Sequence, residues 1–212
     1  MASQTAWPPS SGLSTPTVSR AEAILALASS ITISAPAEEV FGILTDTSTY
    51  PSWCTFVPRV VINSQPSGIE PSSQILHLGT EFTFHAVMDA SKPHKANATH
   101  LRVLDMSTPD KPSQRISKET LEDDPSYTSD LSRVYRVSWG CDGKLASMAP
   151  RTERIHEIIV IGDKECEVRN WEIMSGVLAK AVKWLYKDTL QGKFDGWTRE
   201  LKDFCEKRIT TG

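Results

Sequence analysis

The stretch RTERIHEIIV, residues 151–160, sets the central question of this sequence, because its side chains alternate in character as they do in a β-strand. Successive side chains of a strand point to opposite faces of a sheet. One face of this strand therefore carries Arg154 and His156, and the other carries Glu153 and Glu157. If the strand covers a core, one of these two charged pairs points inward and needs partners on the neighbouring strands.

The next segment, ECEVRNWEIM at residues 165–174, alternates in the same way and follows the turn residues Gly162 and Asp163. A three-residue turn over 162–164 places apolar side chains opposite apolar ones and opposite charges together. In that register the pairs are Arg154 with Glu172, His156 with Asn170, Ile158 with Val168 and Val160 with Cys166. A two-residue turn sets two carboxylates, Glu153 and Glu172, against each other, so we expect the first register.

The predicted hairpin directs an unusually polar set of side chains toward the interior. This inward set consists of Arg154, His156, Asn170 and Glu172. The other face of the second strand, with charged residues at 165, 167 and 169, is interpreted as solvated. The sequence therefore predicts that polar groups lie within an otherwise apolar core.

The rest of the chain divides into short alternating runs and one long helical segment, a pattern typical of the α+β class. Further strands are predicted at residues 23–34, 57–63, 79–90, 98–106 and 132–140. Helices are predicted at residues 37–46 and from 176 to about 208, with at most one short helical turn between them near 47–56. The apolar stripe of the last helix comprises Leu178, Ala181, Val182, Leu185, Phe194, Trp197, Leu201 and Phe204.

Residues 107–130 are too polar and too often interrupted by proline to be expected to pack. Both a lid and a disordered insertion fit this composition. Residues 1–22 form a polar arm rich in proline, serine and threonine, and residues 23–212 are predicted to form a single domain.

The composition excludes several classes of function. With 39% hydrophobic and 23% charged residues, the chain has the composition of a soluble globular protein. The net charge of -3 and the scattered basic residues argue against nucleic acid as a partner, and no apolar run is long enough for stable membrane insertion. Four widely spaced cysteines, without histidine at a ligand spacing, indicate reduced thiols in a cytoplasmic protein and no metal site. We also expect no cofactor, because no phosphate-binding glycine loop is present.

Three stretches carry a resemblance to a known family: ITISAPAEEVFGILTDTSTYPSW (31–53), LGTEFTF (78–84) and WEIMSGVLAKAVKWL (171–185). With the order of predicted elements, they resemble the START-like, or SRPBCC, superfamily over about residues 23–208. The resemblance is to its fungal polyketide cyclase/dehydrase-like or coenzyme-Q-binding START-domain branch. It implies a helix-grip fold, in which a curved antiparallel sheet wraps around the long last helix and leaves a deep apolar cavity. Seven strands with apolar faces independently require such a cover.

Two interpretations of the inward polar set remain open. In the structural one, a buried pair of Arg154 and Glu172, completed by Asn170, fixes the sheet. In the catalytic one, His156 exchanges a proton with the ligand while Arg154 stabilises developing negative charge. The candidate catalytic residues are His156, Arg154, Glu172 and Tyr135. The candidate ligand-binding residues are Trp53, Phe82, Phe84, Met88, Trp139, Asn170, Met174, Leu178 and Val182.

The functional expectation is a protein that encloses one hydrophobic small molecule, polyketide- or isoprenoid-like, and promotes its cyclisation, dehydration or isomerisation in secondary metabolism. A shaped cavity with a few polar groups suffices for such chemistry, since holding the reactive conformer lowers much of the barrier. The alternatives are a non-catalytic carrier of a lipid or quinone and a groove that takes a partner's peptide.

Overall fold

The protein is described by a computed structural model, which covers residues 6–92, 94–141 and 151–211. Its seven strands form one antiparallel sheet in the order β1-β7-β6-β5-β4-β3-β2. The strands are β1 (Leu25–Ile33), β2 (Arg59–Ser64), β3 (Glu81–Val87), β4 (Ala96–Ser107), β5 (Val134–Cys141), β6 (Arg151–Gly162) and β7 (Glu165–Ser175). The predicted strands are thereby confirmed, and β6 lies near the centre of the sheet.

The helices are α1 (Ala37–Thr45), α2 (Tyr50–Trp53), α3 (Lys118–Asp123) and α4 (Val177–Thr211). The short helices α1 and α2 connect β1 and β2, the two edge strands, while α4 packs mainly on β1 and β7. In the second half of α4 the buried side chains, which join the main core, are Phe194, Trp197, Leu201 and Cys205. This arrangement confirms the predicted α+β helix-grip fold.

The predicted register of the β6–β7 hairpin is correct. Arg154 lies opposite Glu172, and His156 lies opposite Asn170. The turn itself is shorter than expected, because only residues 163 and 164 lie outside the strands. A β-bulge at Ile161 supplies the extra residue instead, so that the apolar pairing is kept while the turn stays tight.

The predicted apolar stripe of α4 is wrong in its first half. Leu178 and Leu185 are 40% and 55% exposed, and the neighbouring Trp184 is 84% exposed. Leu190 is buried instead, and Val182 is partly buried. Several apolar residues surround this part of the helix, so the sequence alone did not identify the face that the sheet covers.

The prediction that residues 107–130 do not pack is also wrong. This segment contains α3 and joins the N-terminal arm in covering the outer face of the sheet, which we call the outer layer (residues 7–20 and 113–131). The protein has a second apolar cluster here, separate from the main core under α4. In it the outer layer packs on Ile155, Trp171 and Ile173 of the sheet with the side chains of Leu13, Val18, Ile116, Leu121 and Tyr127. The indole Nε1 of Trp171 donates to the Ser14 carbonyl at 2.9 Å.

The outer layer buries the carboxylates of β6 that face away from α4. Glu157 accepts hydrogen bonds from Nε and Nη2 of Arg136, at 2.9 and 2.6 Å, and both side chains are almost fully buried. Glu153 accepts from Ser138 Oγ at 2.7 Å and from the backbone N–H of Thr17 at 2.9 Å. Both charged pairs of the opening stretch are therefore buried, one on each face of the sheet.

Candidate functional site

A cavity of about 290 Å³ lies between α4 and the inner face of the sheet. Its walls are largely apolar, and the polar side chains among them are Asn97, Thr99, Thr152, Arg154 and Glu172. A larger groove, of about 660 Å³, runs along the surface between residues 113 and 131. That groove is more open to solvent and belongs to the outer layer, so the space under α4 is the better candidate for a small-molecule site.

Strand and helix periodicity explain how the walls are built. Inward-facing positions at every second residue of β3 and the segment after it supply Phe84, Ala86 and Met88. The opposite wall comes from α4, where the spacing of four residues places Val182, Tyr186, Leu190 and Phe194 on one face. The cavity is thus a gap left where the sheet curves away from the first half of α4.

The predicted ligand-binding residues separate into two groups. Those that line the cavity are Phe84, Met88, Trp139, Met174 and Val182. Trp53 and Phe82 lie in the packed aromatic core instead, next to Tyr50, Trp197 and Phe84. Asn170 lies behind the cavity wall as a partner of Arg154, and Leu178 faces solvent. Strand parity identified the inward face but did not distinguish cavity from packed core.

Arg154 is the dominant polar group of the cavity wall and is only 5% exposed. Its guanidinium Cζ lies 4.1 Å from the ring centroid of Phe194 and 4.3 Å from that of Trp197. Nε donates to Asn170 Oδ1 at 2.9 Å, whereas Nη2 has no hydrogen-bond partner among the described residues. Burial lowers the pKa of Arg154 to about 10, so the group still carries its charge at neutral pH.

Glu172 shares the cavity with Arg154 but does not neutralise it. Within the described part of the chain, no contact of 4.0 Å or less joins the two charged groups, although they lie opposite each other in the hairpin. Glu172 instead accepts a hydrogen bond from Thr152 Oγ1 at 2.7 Å. Burial raises the pKa of Glu172, while Arg154 and Thr152 act in the opposite direction. The ion pair expected between Arg154 and Glu172 is therefore not formed. The two groups are neighbours, and each has a different hydrogen-bond partner.

His156 and Tyr135 do not line the cavity. The His156 ring is fully buried and lies 4.5 Å from the Trp139 ring between centroids, and neither ring nitrogen has a partner in the described structure. Burial, and then the charge of Arg154, hold the pKa of His156 well below 6.5. Tyr135 packs against Phe41 of α1, with ring centroids 5.4 Å apart. Direct contact with a ligand in the cavity is therefore available to Arg154 and Glu172, and not to these two residues.

Several lining residues were missed by the sequence analysis. They are Phe56, Val57, Ala86, Asn97, Thr99, Leu101, Thr152, Tyr186, Leu190 and Phe194. The sequence pattern could have identified three of these residues. Thr152 has the same strand parity as Arg154, and Tyr186 and Leu190 continue the four-residue spacing that begins at Val182.

Within the described ranges, no group of histidine, cysteine, aspartate or glutamate side chains is arranged to hold a metal ion. None of the helices in those ranges is both long and apolar enough to cross a membrane.

Comparison with known proteins identifies the family. The family model "Polyketide cyclase / dehydrase and lipid transport" matches residues 25–120. The Penicillium oxalicum protein "Oxopyrrolidines biosynthesis cluster protein O" is 30% identical over 184 residues, which are 81% of this chain and 82% of that protein. The chain belongs to the polyketide cyclase/dehydrase and lipid transport family.

Solved structures agree with the fold of this polyketide cyclase/dehydrase family member. The Zhui aromatase/cyclase from Streptomyces sp. R1128 matches with a TM-score of 0.54 and 11% identity, over 87% of this chain and 94% of that one. The Helicobacter pylori protein jhp0584 matches with a TM-score of 0.59 and 12% identity, over 85% and 87% of the two chains. At these identities the likeness shows the fold alone, and it confirms the predicted START-like, helix-grip architecture.

Proposed function

We propose that this polyketide cyclase/dehydrase family member binds one small hydrophobic molecule under α4 and promotes its cyclisation or dehydration. The observation that carries the proposal is the composition of the cavity wall. Apolar side chains cover most of it, and the charged guanidinium of Arg154 and the carboxyl group of Glu172 face the same space. A few polar groups in an otherwise apolar enclosure fix the orientation of a ligand and act on its reacting atoms.

The size of the cavity restricts the ligand. A volume of about 290 Å³ is at the lower end of the range for small-molecule sites, roughly 300 to 1,000 Å³. A compound of one or two rings, or a short chain folded to that size, fits this space. The proposed substrate is therefore a compact polyketide- or isoprenoid-derived molecule.

The geometry suits an intramolecular aldol condensation. Arg154 donates to the oxygen of the carbonyl group that is attacked and stabilises the negative charge that develops there. The ionised form of Glu172 accepts the proton of the attacking enol, one C–C bond forms, and the former carbonyl oxygen is protonated to a hydroxyl. In the second stage the C–O bond of that hydroxyl and a C–H bond of the adjacent carbon break, the hydroxyl and the proton leave as water, and a C=C bond forms between the two carbons. Burial raises the pKa of the Glu172 carboxyl group and thereby makes its ionised form a stronger proton acceptor.

The Penicillium relative supports a role in secondary metabolism, since its name assigns it to a biosynthesis cluster. The apolar walls also fit a second candidate, a carrier that holds a lipid or quinone unchanged, and the family description includes lipid transport. The cytoplasmic location expected from the sequence stays a prediction.

The test is incubation of the purified protein with a hydrophobic metabolite extract of its source, followed by liquid chromatography and mass spectrometry. Loss of one compound in molar excess over protein, with a product of equal mass or lighter by one water, supports the enzyme. Stoichiometric retention of an unchanged compound supports the carrier. The variants Arg154→Met and Glu172→Gln should lose turnover, while Arg59→Met, at an exposed arginine of β2, should keep it.

A further inference from the structure

Arg154, which lines the cavity, and Asn170, which lies behind the cavity wall, carry hydrogen-bond donors without acceptors in the described structure. Arg154 Nη2 and Asn170 Nδ2 are both buried, and neither has a partner in the described structure. Both groups can only donate. Buried donors are almost always satisfied in folded proteins, so two unsatisfied donors on hydrogen-bonded neighbours point to an acceptor that binds there.

The charge of Arg154 also has no anion in direct contact within the described structure. Glu172 is the acid of the cavity wall, and it lies beyond 4.0 Å from the guanidinium and bonds to Thr152. A buried cation without an ionised partner is unfavourable, and an anion supplied by a ligand removes that penalty.

Two aromatic rings of α4 pack against the guanidinium group of Arg154. Phe194 and Trp197 contact the guanidinium group at 4.1 and 4.3 Å from their centroids. Since the planar guanidinium makes its hydrogen bonds in its own plane, the free Nη2 presents a defined direction for an acceptor. The carboxylate group has the matching geometry for such an edge.

We propose that Arg154, held in place by its hydrogen bond to Asn170, forms an anion subsite, which binds the carboxylate or the acidic enol oxygen of a small apolar acid. The proposal rests on the proposed function, because it requires that the cavity takes a small hydrophobic ligand. It goes further in naming the chemical class of the ligand: an aryl or short-chain acid, or an enolised 1,3-dicarbonyl compound, rather than a neutral lipid or quinone.

The experiment compares two probes of nearly equal shape, 2-naphthoate and 2-naphthamide, by isothermal titration calorimetry at neutral pH. The wild-type protein should bind the carboxylate about tenfold more tightly or better, because one hydrogen bond between charged groups accounts for a factor of that size. Arg154→Met should reduce the ratio of the two affinities to near one. Arg59→Met, the matched change at an exposed arginine, should leave the ratio as in the wild type.

The wild-type comparison does not depend on how well any variant folds. Equal binding of the two probes overturns the anion subsite and leaves the proposed function standing. Binding of neither probe also overturns the subsite; if the metabolite extract then yields neither turnover nor retention, the proposed function fails as well. Loss of the preference in Arg59→Met as much as in Arg154→Met would assign it to net charge and overturn the subsite.

Discussion

The guanidinium group of Arg154 lies over the indole ring of Trp197, with Cζ 4.3 Å from the ring centroid. Trp197 is fully buried, and its ring also contacts those of Tyr50 and Trp53 from α2. The same indole therefore holds the cation of the cavity wall and joins α4 to the main core. Both ligand binding in the cavity and the stability of the fold should therefore depend on the indole ring of Trp197.

Replacement of this residue should be costly. Trp197→Ala removes a large buried ring, and we expect a loss of about 3 to 5 kcal/mol in the free energy of unfolding, measured by urea denaturation. Trp184 lies on the same helix but is 84% exposed, so Trp184→Ala should change stability by no more than about 0.5 kcal/mol. Similar losses in the two variants would contradict the packing described for α4.

The buried pair of Arg136 and Glu157 should be sensitive to the loss of one partner. Glu157→Ala leaves the guanidinium of Arg136 without its carboxylate, and unfolding should become easier by about 3 to 5 kcal/mol. The double variant Arg136→Met with Glu157→Leu should recover most of that loss, since both charges are then gone. For an exposed pair, Lys118 with Glu122, the change Glu122→Ala should cost at most about 1 kcal/mol. An unrecovered double variant would refute this explanation.

The N-terminal arm should contribute to stability. Leu13 is 5% exposed within the second apolar cluster, so Leu13→Ala should lower the free energy of unfolding by about 2 kcal/mol or more. Leu78, which is 57% exposed, offers the matched control, and Leu78→Ala should be close to neutral. Chemical denaturation of the two variants distinguishes an arm that packs from one that does not, because an arm without packing would make both changes neutral.

His156 should make the protein less stable in acid. Burial holds its pKa well below 6.5 in the folded state, so below about pH 6.5 the unfolded chain takes up a proton that the folded chain does not. This stability is present above pH 6.5 and is lost as the pH falls, by about 1 kcal/mol between pH 7.5 and 5.5. His156→Phe should remove that part of the pH dependence, while His94→Phe, at an exposed site, should retain it. Parallel pH profiles for the wild type and His156→Phe would disprove the assignment.

The sheet and its register could be predicted because the information is local. The alternation of β6 and β7 and the cost of opposing Glu153 to Glu172 were enough to select the pairing of Arg154 with Glu172. The contacts of the outer layer are not local. Ser14 donates to Asp124 across 110 residues of sequence, and each apolar residue of the layer stands alone in a polar segment, where periodicity gives no signal.

The candidate site could be predicted only in part, for a related reason. Parity placed Arg154, His156 and Glu172 on the inward face, and all three point there. Whether an inward side chain meets a cavity or a neighbour depends on the curvature of the sheet and the path of α4. The ring of His156 packs against that of Trp139, whereas Arg154, only two positions earlier in the sequence, lines the cavity.

The alternating charges of β6 also disfavour a shift of one residue in the pairing of this strand with its neighbours. A slip of one residue would turn Glu153 toward Phe194 and Trp197 and turn Arg154 toward Arg136 in the outer layer. A hairpin slipped by one residue would therefore turn a carboxylate toward aromatic rings on one face and add a positive charge beside Arg136 on the other. Such a slip is penalised on both faces at once.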